Sequence, residues 1–104
     1  MIRYALIALI CTFGSGSALA QPTAPAASDF QATLWASSCM ACHGTDGLAE
    51  GTGLTIGNRP ADKLLDMLLA FKSGQRQSTV MRQHVLGYSD EELRRIAQYF
   101  SRIQ

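Results

Sequence analysis

The chain has 104 residues, nine Lys and Arg against eight Asp and Glu, a formal net charge of +1 and three cysteines. This length allows one domain, and the near-neutral charge gives no support for nucleic-acid binding. A domain of this size buries only a modest apolar core and often depends on a metal or a covalent link for stability.

The first 20 residues have the pattern of a secretory signal peptide. Arg3 supplies a positive charge, residues 5–13 form an apolar run too short to span a bilayer, and residues 18–20 read ALA, a small-residue cleavage site. We expect cleavage after Ala20; an uncleaved membrane anchor is the alternative. Cleavage would remove Cys11 and leave a neutral mature chain with no membrane span. Residues 21–28, QPTAPAAS, are predicted to be a flexible leader, followed by one domain over residues 29–104.

The next segment is predicted to be a helix with a narrow apolar stripe. Ser28 or Asp29 is the expected N-cap, and Phe30 and Leu34 are the apolar residues that share one face. Trp35 lies off this stripe and is predicted to be a partly buried packing residue.

The predicted helix runs into the sequence CMACH, which contains Cys39, Cys42 and His43. Cys-x-x-Cys-His is the attachment signature of c-type haem: two thiols one helical turn apart form thioethers with the porphyrin vinyl groups, and the histidine ligates the iron. The motif therefore predicts one covalent haem c.

Two other chemistries use a Cys-x-x-Cys pair. A zinc site would need a second Cys or His pair, but Cys11 and His84 are the only such residues outside the motif. A thioredoxin-like redox pair would need a βαβ context, and no strand pattern precedes the motif. Haem is attached on the exported side of the bacterial membrane, so the motif and the signal peptide both indicate the periplasm.

A glycine-rich loop and three further segments follow. Residues 44–60 have no helical period and are predicted to be a loop. Asn58 is the expected cap of the next helix, with Pro60 in its first turn and Gly74 at its end. This helix is predicted to have a broad apolar face (Leu64, Leu65, Leu68, Leu69 and Phe71). Residues 75–80 are predicted to be a polar loop, and Met81 follows in the same predicted loop region.

The last helix has the clearest pattern. Ser89 and Glu92 form a capping box, and apolar residues then recur at helical spacing (Leu93, Ile96, Ala97, Phe100 and Ile103). We expect this stripe to pack on the Phe30/Leu34 face of the first helix.

A haem held by His43 has one axial position left. Met40 lies on the same side as His43 and is excluded, and Met67 is interpreted as a core methionine of the central helix. Met81, on a loop remote in sequence, is the predicted distal ligand; His84 is the second candidate. A closed His/Met site would favour electron transfer over catalysis.

These residues together resemble a small class I c-type cytochrome, and in particular the haem subunit of flavocytochrome c sulfide dehydrogenases. The resemblance rests on CMACH and on AFKSG, STVM, GYSDEEL and AQYF (residues 70–74, 78–81, 87–93 and 97–100). It implies an all-α fold of three to four helices around one covalent haem, with the first and last helices crossing. It also implies thioethers at Cys39 and Cys42 and axial ligands at His43 and Met81. Residues 53–56 read GLTI, without the proline that many relatives have, so no acceptor for the second ring nitrogen of His43 is predicted.

The resemblance implies a non-catalytic periplasmic electron carrier with a redox partner. The partner is either a flavoprotein dehydrogenase, to which the chain would belong as a subunit, or an oxidase served by a free shuttle. An open haem that binds a small ligand and a haem-free thiol protein are the other classes. Residues 59–82 carry an excess of basic side chains, including Lys72 and Arg76, and we hypothesise that this side faces an acidic partner.

Overall fold

The computed structural model describes residues 27–104, and within this range it contains four α-helices, one 3₁₀ turn and no strand. The helices are α1 (Ala27–His43), α2 (Ala61–Ser73), α3 (Met81–Val85) and α4 (Asp90–Ser101). The predicted all-α fold is confirmed. The predicted signal peptide and residues 21–26 of the predicted leader lie outside the described residues.

Helix α1 includes the last two residues of the predicted leader. It runs from Ala27, so Ser28 and Asp29 lie inside the helix, and the expected N-cap at these positions is wrong.

Helix α4 packs against both α1 and α2, and four residues of its predicted stripe are at most 2% exposed: Leu93, Ile96, Ala97 and Phe100. The fifth, Ile103, lies after the end of the helix and is half-buried. The predicted partner face on α1 is wrong. Phe30 is 63% and Leu34 49% exposed, whereas Ala32 and Ala36 are buried. Small side chains let two helices approach closely, so the alanines of α1 make the contact although they are less apolar than the residues on the other stripe.

The loop between α1 and α2 depends on backbone conformations that favour glycine. Gly47 ends the 3₁₀ turn (Thr45–Gly47) with a φ of 74°, and its carbonyl accepts hydrogen bonds from the amides of Ile56 and Gly57 at 2.8 and 3.0 Å. The amide of Asn58 donates to the carbonyl of Phe100 at 3.0 Å, which fixes the end of the loop to the end of α4.

The start of α2 differs from the prediction. The helix begins at Ala61 with Pro60 at the N-cap, no side chain caps it, and Asn58 has a left-handed φ of 56°. Asn58 is therefore a turn residue. The predicted end is correct: Gly74 has a φ of 82° and its amide donates to the carbonyl of Phe71.

The segment that carries Met81 is helical rather than a loop. Met81 is the first residue of the five-residue helix α3, and the amide of Arg82 donates to the hydroxyl of Ser78 at 3.1 Å. The sequence did not predict this helix because five residues after a polar stretch are too few to show a helical period. The capping box of α4 is present as predicted: the Ser89 amide donates to the Glu92 carboxylate at 2.7 Å, and the Glu92 amide donates to the Ser89 hydroxyl at 3.2 Å.

Candidate haem site

One large apolar cavity, of about 520 Å³, lies between the described helices. Residues from α1, the glycine-rich loop, α2, α3 and α4 all contribute to its wall. Its volume is in the usual range for a cofactor or ligand site. The cavity brings together every residue that the sequence pattern proposed for haem binding: Cys39, Cys42, His43 and Met81.

The C-terminal end of α1 forms one wall. Cys39 is half-buried and Cys42 is exposed, and neither forms a disulfide. Burial is the main cause that raises the pKa of the Cys39 thiol. Cys39 is therefore a neutral thiol at neutral pH before any covalent attachment.

His43, the last residue of α1, has a fixed ring orientation. Its Nδ1–H donates to the backbone carbonyl of Leu54 at 2.5 Å, because a carbonyl oxygen can only accept. This bond supplies the acceptor that the sequence did not predict. It leaves the other ring nitrogen, Nε2, with its lone pair available to a metal.

The remaining candidate ligands also line the cavity. Met81 and Met67 are both half-buried there, and His84, one turn after Met81 on α3, is exposed. Met40 does not line the cavity; it is half-buried and packs against the hydrophobic core. Its predicted exclusion as a ligand agrees with this position.

The rest of the wall suits a flat apolar ring system. The wall comes mainly from large apolar side chains, among them Leu64, Leu68, Phe71, Val85, Ile96 and Phe100. Two thiols and an imidazole with a free Nε2 stand at one side, and thioether sulfur atoms are available from other helices. The donor set and the lining therefore fit a covalently attached haem.

Polar residues that the sequence analysis did not single out close one edge of the cavity. The hydroxyls of Tyr88 and Ser38 lie 3.0 Å apart, and both residues line the cavity. Lys72 donates to the carbonyl of Tyr88 and to the carboxylate of Asp90, each at 2.7 Å. A tyrosine in a helix-capping stretch gave no signal of such a contact in the sequence.

Trp35 and Arg76 make ring contacts near this framework. Trp35 is half-buried, as predicted for a packing residue, and the guanidinium of Arg95 on α4 lies 4.9 Å from its ring centroid. The guanidinium of Arg76 lies 5.2 Å from the Phe71 ring centroid, at the cavity wall.

No protein-family model matches the chain. Two curated proteins are similar to it. The chain is 34% identical over 99 residues to the cytochrome subunit of sulfide dehydrogenase from Chlorobaculum tepidum, an alignment that covers 91% of this chain and 90% of that protein. It is 37% identical over 71 residues to cytochrome c-553 from Nitratidesulfovibrio vulgaris, which covers 64% of this chain and 70% of that protein.

The chain belongs to the small class I c-type cytochromes. The recognised resemblance is thus confirmed, and the protein is a haem-containing electron carrier rather than a catalytic enzyme. Among residues 27–104, no helix has both the length and the apolar character that crossing a bilayer requires.

Proposed function

We propose that this protein transfers electrons through one covalent haem c, attached to Cys39 and Cys42 and ligated by His43 and Met81. The observation that carries the proposal is the single cavity into which these four side chains converge from α1 and α3. The haem supplies a reversible one-electron Fe(III)/Fe(II) couple. With His43 and Met81 both holding the iron, the protein would leave no coordination site for a substrate.

Each residue has a distinct task in this proposal. Cys39 and Cys42, one helical turn apart, anchor one edge of the ring. The bond from His43 Nδ1–H to the Leu54 carbonyl orients the imidazole and increases the donor strength of Nε2. Met81 supplies a thioether, which raises the reduction potential relative to a second histidine. The apolar wall excludes water from the ring faces and favours the less charged, reduced state.

The distal ligand is tested with Met81→Ala in the haem-loaded protein. We expect the variant to lose the weak near-infrared sulfur-to-iron band of the oxidised protein and to bind carbon monoxide when reduced. Met67→Leu is the matched control, because Met67 also lines the cavity; it should keep the band. Retention of the band in Met81→Ala, together with its loss in Met67→Leu, would assign the ligand to Met67. Carbon monoxide binding to the reduced wild type at neutral pH would instead favour the open-haem alternative.

We further propose that the chain is exported to the periplasm and accepts electrons from a partner dehydrogenase. Support comes from the signal-peptide pattern of residues 1–20 and from similarity to a protein named as a subunit of sulfide dehydrogenase. A flavoprotein partner would make the chain a bound subunit. A free shuttle to an oxidase is the alternative, and the second relative, a cytochrome c-553, has no partner in its name. A pull-down from periplasm with flavin fluorescence distinguishes the two; mass spectrometry of the recovered chain tests cleavage after Ala20.

The structure changes which basic residues are candidates for the partner surface. Lys72 is engaged by Asp90 and Tyr88, so its charge is largely neutralised within the molecule. Arg59 and Arg76 are exposed and both line the cavity. We therefore expect the substitutions Arg59→Glu and Arg76→Glu to slow electron transfer from an acidic partner, with the largest effect at low salt. Equal rates in wild type and variant across salt concentrations would contradict this surface.

A further inference from the structure

Tyr88 and Ser38 connect two parts of the chain that are 50 residues apart. The hydroxyl of Ser38 donates to the carbonyl of Trp35 at 2.8 Å, one turn earlier in α1. A serine hydroxyl has one proton, so its oxygen must accept the other bond. Tyr88 O–H is therefore the donor to Ser38, and the bond has a defined direction.

The bond ends beside the haem attachment site. Ser38 precedes Cys39, and its Oγ lies 4.0 Å from the Cys39 sulfur. At the other end, the Tyr88 side chain packs against the hydrophobic core and lines the cavity. Tyr88 thus reaches from the segment before α4 to the helix that carries the cysteines, across one edge of the cavity.

The backbone of Tyr88 is held at the same time. Lys72 of α2 donates to its carbonyl at 2.7 Å, and its amide donates to the carbonyl of Val85 at 3.2 Å. Further backbone bonds join the amides of Leu86 and Gly87 to the carbonyls of Arg82 and His84. Helix α3 and Tyr88 are therefore linked by a continuous set of hydrogen bonds and form one short unit.

This unit includes Met81 and packs mainly against α2. Helix α3 has only five residues, and Val85 is its one buried side chain. Val80, directly before Met81, is 53% exposed. A short helix with little buried surface has low local stability unless other contacts hold it. The hydroxyl of Tyr88 is such a contact, and it fastens the unit to α1.

We propose that Tyr88 is a positioning residue for the distal ligand: its bond to Ser38 ties the segment that carries α3 to the attachment helix and holds Met81 over the haem. This role rests on the proposed function, in which Met81 ligates the iron. Loss of the hydroxyl raises the population in which α3 lifts and Met81 leaves the iron, while the fold remains.

The test uses imidazole as an external ligand for the oxidised, haem-loaded protein. Imidazole binds only when Met81 has left, so its apparent affinity reports the population of the open state. Tyr88→Phe keeps the packed ring and removes only the hydroxyl. We expect it to increase the apparent affinity for imidazole about fivefold, the effect of one ordinary hydrogen bond. Ser38→Ala should give a similar increase. The variant with both substitutions should have nearly the same imidazole affinity as either single variant, because both remove the same bond.

Tyr99→Phe is the matched control. Tyr99 also donates from its hydroxyl, to Asp46 at 3.4 Å, but it does not line the cavity. We expect its imidazole affinity to equal that of the wild type. If Tyr88→Phe behaves like Tyr99→Phe, with wild-type affinity and at most a lower melting temperature, the bond is only structural and the proposal is overturned.

The wild-type spectrum separates failure of this inference from failure of the proposed function. A wild type without the Met81-dependent near-infrared band would overturn the His/Met assignment, and with it any role of Tyr88 in holding Met81. A wild type with the band, and with unchanged imidazole affinity in Tyr88→Phe, would leave the assignment intact and reject only the role of Tyr88.

Discussion

Gly47 is a position at which one methyl group should damage both the fold and the site. A Cβ at this residue would lie 2.8 Å from Ile56 Cγ1, 2.8 Å from Phe100 Cδ1 and 2.9 Å from the amide nitrogen of Gly57. The left-handed backbone, with a φ of 74°, costs an L-residue roughly 1–2 kcal/mol. Forcing a methyl group into a filled space costs roughly 1–3 kcal/mol more. For Gly47→Ala we therefore expect a loss of about 2–5 kcal/mol in the free energy of unfolding.

The site should respond because Gly47 holds the loop that contains Leu54. Its carbonyl accepts from the amides of Ile56 and Gly57, so a shift of Gly47 moves the chain two residues after Leu54. The acceptor for His43 would then move, and the reduction potential of the haem should change with it. Guanidinium unfolding followed by far-ultraviolet circular dichroism measures the first effect, and potentiometric titration measures the second.

Gly51→Ala is the matched control for this experiment. Gly51 has nearly the same φ, 73°, but a Cβ there would meet no atom within 4 Å. Its variant should pay only the conformational cost of roughly 1–2 kcal/mol and keep the wild-type potential. Equal destabilisation by the two substitutions would show that the close contacts of Gly47 have no energetic role and would refute the reasoning.

Three further predictions concern the helices and one tyrosine. Ser89→Ala should lower the free energy of unfolding by about 1 kcal/mol, seen as a lower melting temperature, because the capping box of α4 is lost; an unchanged value would contradict the role of the cap. Ala36→Leu should lower the free energy of unfolding by roughly 1–3 kcal/mol because Ala36 is fully buried. Leu34→Ala, on the exposed face, should have little effect. A larger loss for Leu34→Ala than for Ala36→Leu would show that the Phe30/Leu34 face meets α4 after all. Burial is the largest cause that raises the pKa of Tyr99 above its ordinary value of 10.0, and the neighbouring Asp46 carboxylate adds to it. The neutral Tyr99 hydroxyl therefore stabilises the fold below pH 10, and this contribution is lost as the pH rises through the higher pKa of the folded state. Melting temperatures of Tyr99→Phe should fall less steeply than those of the wild type in this alkaline range, and parallel curves would contradict this linkage.

The sequence predicted the features that depend on local chemistry. Cys39, Cys42 and His43 were predicted from spacing alone, and the structure places all three at one cavity. The capping box at Ser89 and the left-handed end at Gly74 were also correct, since both require particular residues at fixed positions.

The errors arose where the outcome depends on distant parts of the chain. The more apolar pair, Phe30 and Leu34, was expected to meet α4, but the alanine face allows closer packing. Asn58 is a residue type that often caps helices, but here it lies in a turn, and its backbone amide donates to the carbonyl of Phe100. The position of Met81 at the start of α3 depends on a helix too short to produce a periodic pattern.

Two contacts at the site were not predicted from the sequence: the bond from His43 to the Leu54 carbonyl and the bond from Tyr88 to Ser38. Any residue at position 54 offers the same backbone carbonyl to His43, so no residue type marks the acceptor. The loop conformation that presents this carbonyl is instead determined by the left-handed residues before and after it. Tyr88 has an identifiable side chain, but its partner Ser38 is 50 residues away.

The two candidate axial ligands are consequently held by different means. His43 ends a 17-residue helix, follows the two cysteines of CMACH and donates to a backbone carbonyl in a loop fixed by its own hydrogen bonds. Met81 begins a five-residue helix with one buried side chain, and in our proposal the bond from Tyr88 to Ser38 helps to hold it. Local opening requires fewer contacts to break on the Met81 side. We therefore expect substitutions around Met81 to change the reduction potential and ligand access, and substitutions around His43 to affect mainly the fold.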